Sequence, residues 1–475
     1  MTLLRIHVED AADQALVAKY QESGQHHIFD DWEDLDSSQR RGLLDALQKI
    51  DLGFIQQLIR DHMVSDPDHP PIATPTPPPL ISLEDPKREL AREKGLEAIR
   101  NGELAIMLLA GGVGTRLGHP GPKGSYPLLP VSQGTLFQLF AESLWKLQKE
   151  MGTTIPWWIM TSPSNHQETV QYFRDNNYHG LNSSDVIIEP QEELPVIDAR
   201  RGRILRSGPG KILFSPDGHG GAIRLLQRNA NWFRSRGIKH VYTHQVDNPL
   251  AILGDPEFLG LHLLDNSVFS SKAVAKTNPE EKVGVFCQTG EHLRVIEYSE
   301  LGEEERHRRN DEGELSFRAG NVAMHMIDLE FILGDESGEI PALPMPFHMA
   351  NKSVRHWYGG EWHESDSPNS VRFETFIFDV LSQAPHALVV EASRDLEFAP
   401  VKNSSGNDSP ESSRAALQKL WAQWLIEAGI ELDMDDQGQP KRTLEISPRL
   451  ACNVAQLKKV LDQITIPDEG PILIR

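Results

Sequence analysis

Cysteine is nearly missing from this chain: Cys287 and Cys452 are the only two in 475 residues. Two cysteines build no disulfide framework, and they offer no spaced metal-ligating cluster. Long apolar runs are missing too, since none reaches the roughly 18 residues that a membrane span needs. The opening MTLLRIHVEDAADQ is acidic and lacks the charged-then-apolar order of a secretory signal, so a cytoplasmic protein is expected. Positive charge is scarce. Lysine and arginine number 47 against 69 acidic residues, a formal net charge of −22, which argues against a general nucleic-acid binder. It leaves room for a phosphate ligand, because a few cations in one cleft set the local field. Neither an internal repeat nor a heptad array is present, and a monomer is the working expectation. The length exceeds what one hydrophobic core serves, so two or three domains are expected.

What the chain does have is concentrated in residues 104–129, LAIMLLAGGVGTRLGHPGPKGSYPLL. Residues 104–110 form a short continuous apolar run, the pattern of a strand buried on both faces. The run ends abruptly in Gly111-Gly112-Val113-Gly114-Thr115-Arg116-Leu117-Gly118, with Lys123 shortly after. A buried strand feeding a glycine loop presents backbone N–H groups at the strand's carboxyl end. Glycine lets that backbone approach a phosphate, and Arg116 and Lys123 supply neutralising charge as a planar fork and a point charge. The spacing excludes two familiar loops. A dinucleotide fingerprint requires a third glycine where Leu117 stands. A Walker A loop requires a hydroxyl residue after its lysine, and Gly124 follows Lys123.

The rest of the chain places this loop in context. Residues 1–66 read as helical, with apolar spacing over 11–23 and 37–64, and the proline-dense 66–79 reads as an extended strap. After the loop, a helix over 135–151, a strand over 157–162, a helix over 166–176 and a strand over 185–188 alternate. The pattern predicts an α/β fold with a doubly wound, mostly parallel sheet. Gln191 falls just beyond the last of these strands, where its amide offers a donor and an acceptor to a base edge. Pro216-Asp217-Gly218-His219-Gly220-Gly221 precedes a predicted helix over 222–235 and makes a second backbone-lined loop. A strand over 239–246 ends in Asp247-Asn248-Pro249. An acid at a strand's carboxyl end beside a phosphate pocket suits Mg²⁺. The predicted domains are 1–95 (helical, with the connector 66–80), 96–403 and a small terminal domain 404–475, whose first helix is expected over 413–428.

Taken in order, LLAGGVGTRLG with PKG, Gln191, PDGHGG, VDN, VGVF, VIEYSE, AGN, EFAPVKN and the EISP around Glu445 resemble the UDP-sugar pyrophosphorylase family, its hexosamine branch most of all. The resemblance implies a Rossmann-like nucleotidyltransferase core. It implies a uridylyltransferase that makes a UDP-sugar and pyrophosphate from UTP and a sugar 1-phosphate, with Mg²⁺. By the same resemblance, Leu109, Ala110, Gly111 and Gly112 hold the nucleotide, while Gln191 and Gly218 read the uracil. Arg116, Lys123 and Lys402 serve the phosphates, and Asp247 binds the metal. His219, Gly284, Glu297 and Asn321 line the sugar pocket. Two features depart from the hexosamine pattern: His219 stands where that branch carries asparagine, and 371–376 lacks its lysine-rich pattern. N-acetylglucosamine 1-phosphate and glucose 1-phosphate both stay open, as does a UDP-sugar binder without activity. A nicotinamide-dependent oxidoreductase is excluded by the missing third glycine.

Overall fold

The computed structural model describes residue 6 and residues 8–64, 74–335 and 341–475. The chain divides into two compact units, and the division follows space rather than sequence order.

One unit gathers the described residues of 1–71, 191–221 and 345–377. Its helices Ala11–Glu22, Ser37–Gln48 and Leu52–Ile59 bury Tyr20, Leu43, Leu47 and Ile55, with Phe29 from the turn His26–Phe29, against Ile197, Ile204 and Phe373. The single helical run expected over 37–64 is broken at Ile50-Asp51. The Asp51 side chain accepts the Phe54 N–H at 3.1 Å and starts a new helix, a local cap that apolar spacing does not reveal. Asp31 and Arg206 form a buried ion pair, and Trp357 Nε1 donates to the same carboxylate at 3.0 Å. Three strands, His348–Lys352, Ser370–Glu374 and Ile197–Asp198, pair antiparallel in this unit.

The other unit holds the described residues of 72–190, 222–344 and 378–475 around a nine-stranded sheet. Its strands are β1 (Leu104–Leu109), β2 (Trp157–Thr161), β3 (Val186–Pro190), β4 (His240–Gln245), β5 (Phe269–Ala275), β6 (Val285–Thr289), β7 (His292–Ile296), β8 (Ala319–Asp328) and β9 (Ala387–Glu391). The order runs β7-β6-β8-β4-β1-β2-β3, with β5 paired to both β8 and β9. The four strands β4-β1-β2-β3 are parallel, as the strand–helix alternation predicts; β6, β7 and β8 add antiparallel pairs. Every residue of β1 and β2 is buried, which accounts for their unbroken apolar runs. The expected helix over 222–235 is two helices, Gly221–Arg228 and Ala230–Ser235, parted at Asn229.

Two helices cross with their backbones touching. A Cβ on Gly95, in Lys87–Arg100, would lie 1.8 Å from Pro256 O, and one on Gly260, in Pro256–Leu264, would lie 1.6 Å from Ala91 O. Of the proline-rich connector, 65–73 lie outside the described residues. Its remainder runs beside the sheet, with Thr76 bridging Gln288 and Ile81 bridging Val390. The C-terminal helix begins at Pro410 rather than 413, because Ser409 and Ser412 form a capping box. Its Leu417 and Trp421 share a core with Ile106 and Leu108, as do Leu444 and Ile446 of the parallel pair Leu444–Ile446 with Ile472–Ile474. Among the described residues, no helix is long and apolar enough to cross a membrane.

Candidate active site

β1 delivers the chain to the glycine loop at its carboxyl end. Leu109 and Ala110 are buried, and their carbonyls are already committed: Val246 N–H donates to Leu109 O at 3.1 Å, and Asn165 Nδ2 donates to Ala110 O at 2.9 Å. Asn165, itself buried, also donates to Gly112 O at 3.1 Å, and so does the Lys123 N–H. With these carbonyls turned inward, the N–H groups of Gly111 and Gly112 have no partner among the described residues. That is the state an anion-binding loop requires. Glycine is obligatory at position 114, where a Cβ would lie 2.8 Å from that of His119. Asn165 escaped the sequence reading, for it looks like a helix-start residue of the next element.

Two of the expected phosphate and metal residues meet. Lys123 Nζ lies 3.5 Å from Asp247 Oδ2, with both side chains mostly buried. Arg116 sits exposed on the short turn Gly114–Leu117, with no partner among the described residues. Lys402 is exposed too, its ammonium 5.8 Å from the Phe398 ring centre. The segment carrying Lys402 is laced to the one carrying Asp247. Val401 N–H donates to Asp247 O at 2.8 Å, Asn248 Nδ2 donates to Glu397 O at 2.7 Å, and Ala399 N–H donates to Asn248 Oδ1 at 3.1 Å.

Behind that lacing stands a buried lysine that no motif marks. Lys272, on β5, is 2% exposed and pairs with Asp255 at 2.6 Å and with Glu397. Burial opposes its charge, yet the two carboxylates hold its pKa above the ordinary lysine value. The C-terminal segment braces the other flank. Arg414 donates to Leu128 O and Pro127 O at 2.8 and 2.9 Å, and Glu445 accepts the N–H groups of Val131 and Ser132 at 2.8 and 2.9 Å.

The three expected sugar residues of this unit also come together. Asn321 N–H donates to Gly284 O at 2.8 Å, and a Cβ on Gly284 would lie 3.2 Å from Glu297 Oε1. Asn321 Oδ1 accepts the Ala323 N–H at 2.9 Å, and Ala323 takes φ +53° where the β5–β8 register shifts. Such a bulge re-aims the side chains beside it. Burial, with Glu300 adding to it, raises the Glu297 carboxyl above the usual range.

In the other unit, Gln191 Nε2 donates to Asp217 Oδ1 and to Gly218 O, both at 3.0 Å. Its Oε1 is left as an acceptor among the described residues. Gly218 takes φ +85°, and a Cβ there would lie 2.4 Å from Thr375 O. Thr375 clamps the loop from above: its N–H donates to Asp217 O at 2.7 Å, and its carbonyl accepts the Gly220 N–H at 2.9 Å. His219 Nδ1 accepts the Ile377 N–H at 3.2 Å, and its ring lies 5.4 Å from that of Phe376. Thr375 is a second residue that the sequence reading missed, because it acts on the loop from a distant strand end.

Residues 73–462 match the family described as UTP–glucose-1-phosphate uridylyltransferase. The chain is 37% identical over 432 residues to the UDP-N-acetylglucosamine pyrophosphorylase of Saccharomyces cerevisiae, covering 86% of this chain and 90% of that one. It is 35% identical over 439 residues to the UDP-N-acetylglucosamine diphosphorylase 2 of Arabidopsis thaliana, covering 88% and 85%. Among solved structures, it shares its fold with the uridine diphosphate N-acetylglucosamine pyrophosphorylase of Trypanosoma brucei, at 23% identity and a TM-score of 0.82 over 99% of each chain.

Proposed function

Since the chain belongs to the UTP–glucose-1-phosphate uridylyltransferase family, we propose that it joins UTP to N-acetylglucosamine 1-phosphate and releases pyrophosphate. It is a nucleotidyltransferase. The observation that carries the site assignment is Lys123 held 3.5 Å from Asp247 beside a glycine loop with unpaired N–H groups. The sugar is assigned from the names of the two relatives.

The chemistry asks little covalent work of the protein. An oxygen of the sugar phosphate attacks the α-phosphorus of UTP in line, and the bond to the pyrophosphate oxygen breaks. The protein positions the reactants and stabilises charge. We assign the loop N–H groups, Arg116 and Lys123 to the triphosphate and the departing pyrophosphate. Lys402, on a strap tied to the Asp247 backbone, is assigned to the α-phosphate. Gln191 Oε1 suits the N3–H of uracil, and the Gly218 N–H suits a ring carbonyl. Cytosine would present the opposite donor and acceptor order there. Glu297, Asn321 and Gly284 are assigned to the sugar, with His219 at the edge of that assignment.

Asp247 is the proposed Mg²⁺ ligand. It offers a single carboxylate, and no three-ligand group forms around it among the described residues. That fits an ion bound through one carboxylate that takes its remaining oxygens from phosphates and water. When bound, the ion would offset charge on the phosphate oxygens. A cytoplasmic location is proposed, since the free thiols of Cys287 and Cys452 suit a reducing compartment.

The deciding experiment is pyrophosphate release with UTP and Mg²⁺ across N-acetylglucosamine, N-acetylgalactosamine, glucose and galactose 1-phosphates. Preference for the N-acetylated sugars is the expected result. Preference for glucose 1-phosphate would make His219 the better guide to the sugar, and no release with any of the four would overturn the reading.

A further inference from the structure

A separate group of ligating side chains lies at the opposite, amino edge of the sheet. His240 opens β4 and Asp328 closes β8, and the two stand directly across from each other in the antiparallel register. His262 reaches the same place from the helix Pro256–Leu264. One nitrogen from each histidine and one carboxylate oxygen all lie within 4.8 Å of one another. His240 Nδ1 is 3.9 Å from Asp328 Oδ2.

Two observations go beyond proximity. His240 and His262 are 6% and 1% exposed, and His240 Nδ1 and His262 Nε2 are both buried without any hydrogen-bond partner among the described residues. A buried polar atom left without a partner loses its hydration with nothing in exchange. Two facing one carboxylate leave a gap that a cation fills. The second observation is Ser270 Oγ, 2.8 Å from His262 Nδ1. With Nδ1–H donating to that oxygen, Nε2 turns its lone pair toward the cluster, the outer contact that metal-bound histidines characteristically have.

We propose that His240, His262 and Asp328 bind a divalent transition-metal ion, with Zn²⁺ the preferred occupant. Two imidazoles and one carboxylate suit Zn²⁺ better than Mg²⁺, which favours an all-oxygen shell. Neighbouring ligands around tetrahedral zinc stand about 3.3 Å apart, so the ion draws these three side chains inward by about 1 Å. Asp328, whose side chain is 30% exposed, leaves a way in, and water completes the fourth position. β4 runs from His240 toward Asp247, which puts roughly 20 Å between this cluster and the proposed nucleotide loop. The ion therefore ties one helix to two strands and takes no part in nucleotidyl transfer.

The test uses the full chain, dialysed against a chelator and then titrated with Zn²⁺. Retention of about one equivalent and a Tm that climbs with Zn²⁺ concentration are expected. Asp328→Asn and His262→Gln should each abolish the retained equivalent, and Ser270→Ala should weaken binding roughly 10- to 100-fold. Asp328→Asn keeps the test decisive should His262→Gln fail to fold. No retained zinc in the parent, or undiminished retention in Asp328→Asn, would overturn the proposal.

Discussion

At the scale of single residues, Lys123 and Lys272 do different work with the same charge. Lys123 faces Asp247 at the mouth of the glycine loop. Lys123→Ala should lower kcat by roughly 10²- to 10³-fold with an unchanged Tm, because a charge with the role proposed for Lys123, on departing pyrophosphate, would act in the transition state. Steady-state kinetics beside a melting curve separate those outcomes. Lys272 is out of reach of solvent and neutralises Asp255 and Glu397. Lys272→Met strands two buried carboxylates and should cost about 3–5 kcal/mol in denaturant unfolding. The variant that still folds should lose kcat more than it raises KM for UTP, since Glu397 anchors the strap that carries Lys402. The difference was legible only in part. Lys123 announces itself by following glycines, whereas Lys272 sits in a buried strand of mixed composition, and only the fold brings its two partners beside it.

At the scale of elements, the glycine crossing of Lys87–Arg100 and Pro256–Leu264 is the most exacting contact in the sheet unit. Gly95→Ala and Gly260→Ala add a carbon where backbone already stands. Despite alanine's better helix propensity, each should lower stability by several kcal/mol, read as a fall in the denaturant midpoint. Sequence patterning recovered the elements whose burial is uniform. β1, β2 and the helix Leu136–Met151 fall within a residue of where apolar spacing puts them. It overran the breaks at Asp51 and Asn229, where a side-chain cap or a local kink overrides spacing that continues in phase. It saw the glycine loops but not their clamps. Asn165 and Thr375 hold those loops from elements far away in the chain, and no local pattern records such a partner.

At the scale of the whole molecule, buried imidazoles set the acid limit of stability. His244 is enclosed between Phe140 and Tyr242, and loss of solvation pushes its pKa down to about 3; burial likewise takes His27 down to about 4. The unfolded chain takes up these protons near pH 6.5, so it binds more of them than the native state below that pH. The stabilisation is complete above pH 6.5 and is lost as pH falls toward 3–4. At pH 5 each histidine should have cost about 2 kcal/mol relative to pH 7. Melting curves from pH 7 to 5 should show a falling Tm, and His244→Phe should flatten that slope.

The bracing of residues 127–132 carries a consequence for how the protein comes into being. Arg414 and Glu445 hold that stretch, just downstream of Lys123, and Glu445 lies in a strand whose parallel partner is Ile472–Ile474. A ribosome finishes residues 127–132 early and their braces late. The parallel strands β4-β1-β2-β3 can pair before those braces exist, and a message cut short after the helix Pro410–Glu427 would leave 127–132 held by Arg414 without Glu445.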